Sequence, residues 1–462
     1  MTERIQISDD FFIDIIEHEK ATVRVYSKKE LHCHDALGRC SALDKAALAE
    51  AHIKENSLQC YHGQLYGPDG PVCDELVEAE LTQTLREMDY RNGIPFAVRE
   101  ILKLIRGLCY QPGNLSPSPT ILPFADGDLD ISSEPWRFNR GSKIVTPHRF
   151  KINFPRERTD CPGWKCFLSE LLSPEDIKTL QVFLGYALTP SIDAQALLVI
   201  RCQAGAGKSQ IVPVIREIWG EGYSSIRLHD LSERFGLTPI LNRLILVDDD
   251  LSQEWLRDTS ILKKLVGTEG ELLVERKGQD VFSYRSYSKL ITLTNFELQA
   301  LYDDSEGFSR RIYPLRVIGR KHEAGDSIGE RIARTEAAGV LLWILRGLRY
   351  WQTEHTIPLS DKAKQEQKRL ISDRDSLHKF CHEALIPDKE SSVPTEALYA
   401  AYCQFCFAED LKRIRGAYDT GSFGAELKKV LPTMGFENGK LRVNGVRKQG
   451  WRGLRLREIT DL

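Results

Sequence analysis

The sequence predicts an α/β protein: a parallel sheet with flanking helices that carries a phosphate-binding loop, preceded by a small α+β and helical region and followed by a helical domain ending in a hairpin. Three observations predict it. Between residues 191 and 350 the apolar runs ALLVIRC, RLILVDDD and SKLITLTN alternate with helix-period segments such as KSQIVPVIREIWG, the pattern of parallel strands joined by crossover helices. The stretch RCQAGAGKSQ, 201–210, lies where the first of those strands feeds a helix. Beyond about residue 365 the chain turns to helices and closes on FENGKLRVNGVRKQGWRGLRLRE, a hairpin signal.

At 462 residues the chain exceeds one compact core. Its 42% hydrophobic and 28% charged residues are those of ordinary soluble globular proteins. A net charge of -3 sets up no overall field toward nucleic acid or membrane, so any such binding must come from a local patch. No apolar run is long enough to span a bilayer, and the N-terminal MTERIQISDDFFIDIIEHEK is acidic and lacks a signal-peptide core. The expectation is a cytoplasmic protein with no membrane partner. The 11 cysteines, an odd number scattered from Cys33 to Cys406, fit reduced thiols better than a disulfide framework.

Residues 1–115 read as an N-terminal α+β domain. A helix-like start gives way to a hairpin in QCYHGQLYGPDGPV, and DELVEAELTQTLREM and PFAVREILKLIRGL carry apolar residues at helical spacing. Residues 116–190 read as a Pro-, Ser- and Gly-rich linker with short strands, YQPGNLSPSPTILPFADGDLDISSEPW, then helices from CPGWKCFLSELL to LGYALTP, with Pro174 after a serine as a helix start. The sheet domain takes 191–350. Residues 365–462 hold SLHKFCHEAL, PTEALYAAYCQFCF and GSFGAELKKVLPTMGF before the hairpin, a winged-helix order.

A phosphate-binding loop needs backbone N–H groups turned inward, a lysine on the β and γ phosphates and a hydroxyl on Mg2+. Gly205, Ala206, Gly207, Lys208, Ser209 and Gln210 supply these, although Cys202 replaces the first glycine of the common pattern. The competing reading is a chance run of small residues. Asp248 and Asp249, after an apolar run, can hold Mg2+ and orient the attacking water, or can be an acidic turn. Asn295, at the end of KLITLTN, can sense the γ phosphate or merely cap a strand end. Arg310 and Arg311 in GFSRRIYPL can stabilise transition-state charge for a neighbouring subunit, or make surface ion pairs.

Taken in order, QAGAGKSQ, VDDD, TEGELLVERKGQD, ITLTN and FSRRI resemble the superfamily 3 helicases of phages, plasmids and small DNA viruses, within the AAA+ ATPases. The similarity is closest to the helicase part of phage and plasmid primase-helicases and their poxvirus relatives. ILPFADGDLDI, TPHRFKINFP and the CPGWKCFLSELL to LGYALT region resemble what precedes the helicase core there, so the resemblance spans roughly residues 55 to 320. It implies an AAA+ P-loop core, ATP and Mg2+ as cofactors, a homo-oligomeric ring, expected to be a hexamer, and 3′ to 5′ unwinding of DNA in a bacterial host cell. It also leaves room for a separate primase or replisome partner. Lys208 and Ser209 become the phosphate and metal ligands, Asp248 and Asp249 the metal-binding and water-activating acids, Asn295 the sensor, and Arg310 or Arg311 the finger. Arg276 and Lys277 match the basic residues of a hairpin that grips one DNA strand in the ring's channel. Cys202, Gln210 and Asp250 depart from the family's usual pattern. An initiator or helicase loader, and a small-molecule P-loop kinase, are the competing classes.

Independently, residues 428–457 carry nine Lys or Arg against one acid, Glu437. Lys440, Arg442, Arg447, Lys448, Arg452 and Arg455 lie in the hairpin, and a basic wing after three helices suits duplex or single-stranded DNA. Trp451 either stacks on a base or fills the small core, with the core favoured. LHCHDALGRC, with Cys60, His62 and Cys73, lacks a C-x-x-C pair, so no zinc site is expected. CQFC at 403–406 lies on an apolar helical face, and DGDLD reads as a turn and strand rather than a metal site.

Overall fold

A computed structural model of the chain describes residues 2–8, 11–17, 32–34, 40–88, 90, 93–201, 207–249, 260–267, 270–277, 281–295, 310–318, 327–372, 376–409, 413, 419–443 and 445–457. None of the helices so described is long and apolar enough to cross a membrane. Two units can be distinguished, the first comprising Met1–Phe296 and Arg311–Ser360, the second Glu297–Arg310 and Asp361–Leu462.

The N-terminus corrects the helical expectation. Thr2–Ser8 and Phe11–Glu17 are antiparallel strands, because Ile5, Ile7, Phe11, Ile13 and Ile15 are buried at every second position, a period that one sheet face satisfies and a helix does not. Phe11–Glu17 pairs in parallel with Trp136–Arg140, and Gly127–Asp130 and Ile121–Phe124 complete a five-stranded sheet. The sheet thus joins segments from both sides of residue 115, and the region read as a linker with short strands supplies three of its members. The acids of DGDLD are engaged locally. Asp126 pairs with Arg140 and accepts from the Phe154 N–H, buried Asp128 accepts from Arg149 and the Ile144 N–H, and Asp130 accepts from the Ser132 N–H.

Helices Lys45–Asn56, Asp74–Glu87 and Ile94–Leu108 enclose a separate apolar core of this unit. Asp44 caps the first by accepting from the Ala46 and Ala47 N–H groups. The meander Gln59–Tyr61, Gln64–Gly67, Gly70–Val72 joins them as the turn residues predict. Next come Pro162–Leu171 and Pro174–Ala187, the latter capped by Ser173 with Pro174 in its first turn. Glu336 receives the Gly163 and Trp164 N–H groups at the start of the former, both at 3.0 Å. Helix Ala337–Glu354 crosses Pro174–Ala187 backbone against backbone. A Cβ on Gly185 would overlap the Leu348 main chain, and one on Gly347 would overlap the Gln181 carbonyl.

The sheet that carries the candidate site has five parallel strands, numbered here β1 (Leu197–Arg201), β2 (Tyr223–Ser225), β3 (Ile245–Asp248), β4 (Lys289–Thr294) and β5 (Ile312–Arg316). Their order across the sheet is β2-β3-β4-β1-β5. Every residue of β3 and β4 is buried; β3 is apolar up to Asp248, and β4 buries Lys289, Thr292 and Thr294 along with its apolar residues.

Near this sheet His148 is wholly buried against Phe150 and Tyr287. Burial, helped by the positive charges of Arg243, Lys289 and Arg149, pushes its pKa down to about 3. The unfolded chain therefore takes up a proton near pH 6.5 that the folded chain refuses until about pH 3. The stability involved is complete above pH 6.5 and is lost as pH falls through that window, at up to roughly 1.4 kcal/mol per pH unit. Denaturant midpoints measured from pH 7 to pH 4 are expected to fall, and His148→Phe to flatten that slope.

The second unit runs Asp361–Ser372, Ser376–Glu383, strand Leu385–Pro394, helices Thr395–Ala408 and Thr420–Val430, then strands Glu437–Val443 and Val446–Leu456. The last strand pairs with both others. Trp451 is fully buried among Phe423, Leu427, Phe436 and Leu454, so it fills the core. Cys406 is buried in the same cluster, where burial raises its pKa, and behaves as a small apolar residue.

Candidate functional site

Parallel strands end at a common edge, and here three adjacent strands deliver chemistry to it. Arg201, the last residue of β1, pairs with Thr294 of β4, and Asp248, the last of β3, pairs with Thr292. The chain leaving β1 toward Gly207, Asn295 beyond β4 and Asp249 beyond β3 therefore share the C-terminal edge. Neighbouring strands lie about 4.8 Å apart, so the ends of β1 and β3 are separated by roughly 10 Å, with β4 between them.

Cys202, Gly205, Ala206 and Asp250 lie outside the described residues. Gly207 has φ +82°, a left-handed conformation that glycine adopts without strain. Lys208–Gln210 form one tight turn, closed by the Gln210 N–H on the Gly207 carbonyl at 3.0 Å, and helix Ile211–Trp219 follows. Ser209 is exposed on this turn. The Gln210 side-chain oxygen accepts from the Gly329 N–H at 2.9 Å, fastening helix Ile328–Thr335 to the turn.

Asp248 is 4% exposed, and its Oδ2 accepts from the Leu228 N–H at 2.8 Å, which fixes the carboxylate's orientation. Beside it Thr292 is buried, and its hydroxyl has no hydrogen-bond partner among the described residues. No sequence pattern singled Thr292 out; its significance comes from strand register. Asp249 and Asn295 are exposed at the edge.

Arg311 stands at the opposite edge. It precedes β5, its carbonyl accepts from the Leu197 N–H at the start of β1, and its guanidinium donates to the Gln195 side chain. The length of β1 separates it from the loop, about 13 Å at 3.3 Å per residue. Arg310 is exposed, with its carbonyl bonded by Gln367.

The candidate DNA hairpin consists of Leu272–Val274 paired with Phe282–Tyr284. Lys277 is exposed in the connection, whereas Arg276 is half-buried with its guanidinium 5.6 Å from the Phe282 ring centroid. The two cations therefore differ in character: one projects and one packs.

In the C-terminal hairpin, Arg442 lies directly opposite Arg447, and Lys440 opposite Gln449, on one exposed face. Like charges facing each other across a ladder are destabilising, which a polyanion would reverse. The remaining cations are tied more closely to the fold: Lys448 pairs with Glu396 at 2.6 Å, Arg455 with Asp388 at 3.9 Å, and Arg452 donates to the Lys440 carbonyl.

Comparison with known proteins matches two stretches of the chain. Residues 200–311, from β1 to the arginine pair, match a family of unknown function (DUF5906), and residues 372–451 match the Poxvirus D5 protein-like family. No curated protein matches the chain. Among solved structures it is similar to the apo structure of the NrS-1 C-terminal region (305–718), at 14% identity and TM-score 0.50, covering 89% of this chain and 99% of that one. The A form apo structure of the same region gives 13% identity and TM-score 0.50, covering 89% of this chain and 100% of that one. At such identities the likeness is one of fold.

Proposed function

We propose that this chain is an ATP-dependent replicative DNA helicase of a phage, prophage or mobile element, forming a homo-oligomeric ring, most simply a hexamer, that moves 3′ to 5′. The observation that carries the reading is the common edge where the GKS turn, Asn295 and the Asp248–Asp249 pair meet on three adjacent strands. The Poxvirus D5-like match in the second unit supports it from a separate part of the chain.

The residues fit a magnesium nucleotide. Gly207 gives the turn its close backbone approach, Lys208 and Ser209 supply cation and hydroxyl, and Asp248 is a buried, oriented carboxylate beside the unsatisfied Thr292 hydroxyl, which a metal-bound water would satisfy. Bound ATP supplies the bond whose hydrolysis drives movement. The chain's own work is to position: Asp249 orients the attacking water, Asn295 senses the terminal phosphate, and the helix following the turn presents its N-terminus to the phosphates. An arginine at the far edge of the sheet cannot reach its own loop, so Arg310 serves a neighbouring subunit, with Arg311 held against Gln195 as its support. Lys277 carries the moving contact with one strand, and the second unit, a winged helix in this reading, docks on DNA through Lys440, Arg442 and Arg447.

Displacement of a labelled strand from a 3′-tailed duplex, dependent on ATP, is the expected result; binding and assembly on DNA without displacement would make the chain a loader instead. Arg442→Ala with Arg447→Ala is expected to lower the slope of log affinity against log salt by about 1.8 on duplex DNA, two phosphate contacts at roughly 0.9 each.

A further inference from the structure

The hairpin that bears Lys277 is too short to hold itself in place. Each strand has three residues, and an isolated two-stranded ribbon of that size is marginal in water. Its second strand is instead held residue by residue from elsewhere. The Phe282 ring is stacked on His62, with centroids 4.6 Å apart and planes 20° from parallel. The Ser283 carbonyl accepts from Asn114 Nδ2 at 3.2 Å. The Tyr284 hydroxyl accepts from the Asn242 N–H at 2.9 Å, and the Asn242 side chain in turn donates to the Tyr66 hydroxyl at 2.7 Å. The space enclosed by these groups is about 20 Å³, room for one water and for no ligand.

His62 is the unusual member. With Gly63 it forms the two-residue loop between Gln59–Tyr61 and Gln64–Gly67, and both residues have positive φ, 47° and 74°. That turn is ordinarily Asn-Gly or Gly-Gly, and histidine is a less usual occupant, although it adopts positive φ more readily than most residues. Its Nε2 is also buried without a hydrogen-bond partner among the described residues. Turn chemistry tolerates a histidine at this position but does not call for one, and no hydrogen bond of Nε2 explains it. The stack on Phe282 does.

We propose that His62 is a positioning residue for the DNA hairpin: through it the three-helix N-terminal region fixes the root of the hairpin and so the place of Lys277. The proposal rests on the helicase reading for its consequence but not for its geometry, and the test separates the two. In the full chain, His62→Asn suits the turn better and removes the stack, so its melting temperature is expected to match or exceed wild type. Trypsin cleavage after Lys277 is expected to quicken roughly two- to tenfold, the range one aromatic pair commands, and DNA stimulation of ATPase to fall by a similar factor with the DNA-free rate unchanged. His62→Tyr, which keeps a ring on Phe282, is expected to restore both. Equal cleavage rates in wild type and His62→Asn would overturn the proposal. Faster cleavage without loss of DNA stimulation, alongside an inert Lys277→Ala, would uphold the brace and remove the hairpin's DNA role.

Discussion

Lys208→Ala is expected to lower ATP turnover by roughly 10²- to 10³-fold or more, the effect of removing one preorganised charge-stabilising group from a transition state, and to abolish strand displacement. The substitution lies on a turn at the sheet edge, outside the apolar core, so the melting temperature is expected to hold. Asp249→Asn separates binding from chemistry. It keeps Asp248 and its Leu228 hydrogen bond, so nucleotide affinity is expected to persist while turnover falls. Equilibrium nucleotide binding and steady-state ATPase on the same preparations check both. A Lys208→Ala protein that still hydrolyses ATP in response to DNA would remove the proposed site.

Gly347→Ala is expected to be strongly destabilising although it adds only one methyl group. Helix propensity alone would favour alanine by about 1 kcal/mol, so a loss reports packing. A Cβ at Gly347 would overlap the Gln181 carbonyl, and backbone cannot yield by changing rotamer. Overpacking of side chains typically costs about 1–3 kcal/mol, and backbone overlap is expected to reach or exceed the top of that range. Gly107→Ala is the control. It lies in helix Ile94–Leu108 with nothing within 4 Å of the new methyl, so it is expected to be neutral or stabilising. Denaturant midpoints of the two variants are expected to move in opposite directions.

What the sequence made legible follows from burial. β1, β3 and β4 are interior strands with apolar runs, and they were read correctly together with the GKS turn that follows β1. The sheet's edge strands were not: Tyr223–Ser225 has three partly polar residues, and Ile312–Arg316 is interrupted by Pro314. The strand Leu385–Pro394, polar and with proline at 387 and 394, was hidden for the same reason, though the helices around it were plain. At the candidate site, residue types single out Lys208, Asp248 and Asn295 as expectations, but only strand register brings Thr292 beside Asp248. Arg276 and Lys277 looked equivalent as neighbours in VERK. The Arg276 guanidinium over the Phe282 ring separates them, a contact set by the pairing of the two hairpin strands and not by residue type.

The sheet built from Thr2–Ser8, Phe11–Glu17 and the strands of residues 121–140 bears on how the protein can be dissected. A fragment beginning at residue 116 would keep Trp136–Arg140 but lose the strand that pairs with it in parallel. The amide groups of that strand would be left as an open sticky edge, and Trp136, which packs edge-on against Phe11, would be stripped on that side. Shortened versions intended to isolate the five-stranded parallel sheet are therefore expected to aggregate unless residues 2–17 are supplied, in the same chain or as a separate peptide. The N-terminal hairpin is in this sense a built-in chaperone for a region that follows it by more than a hundred positions.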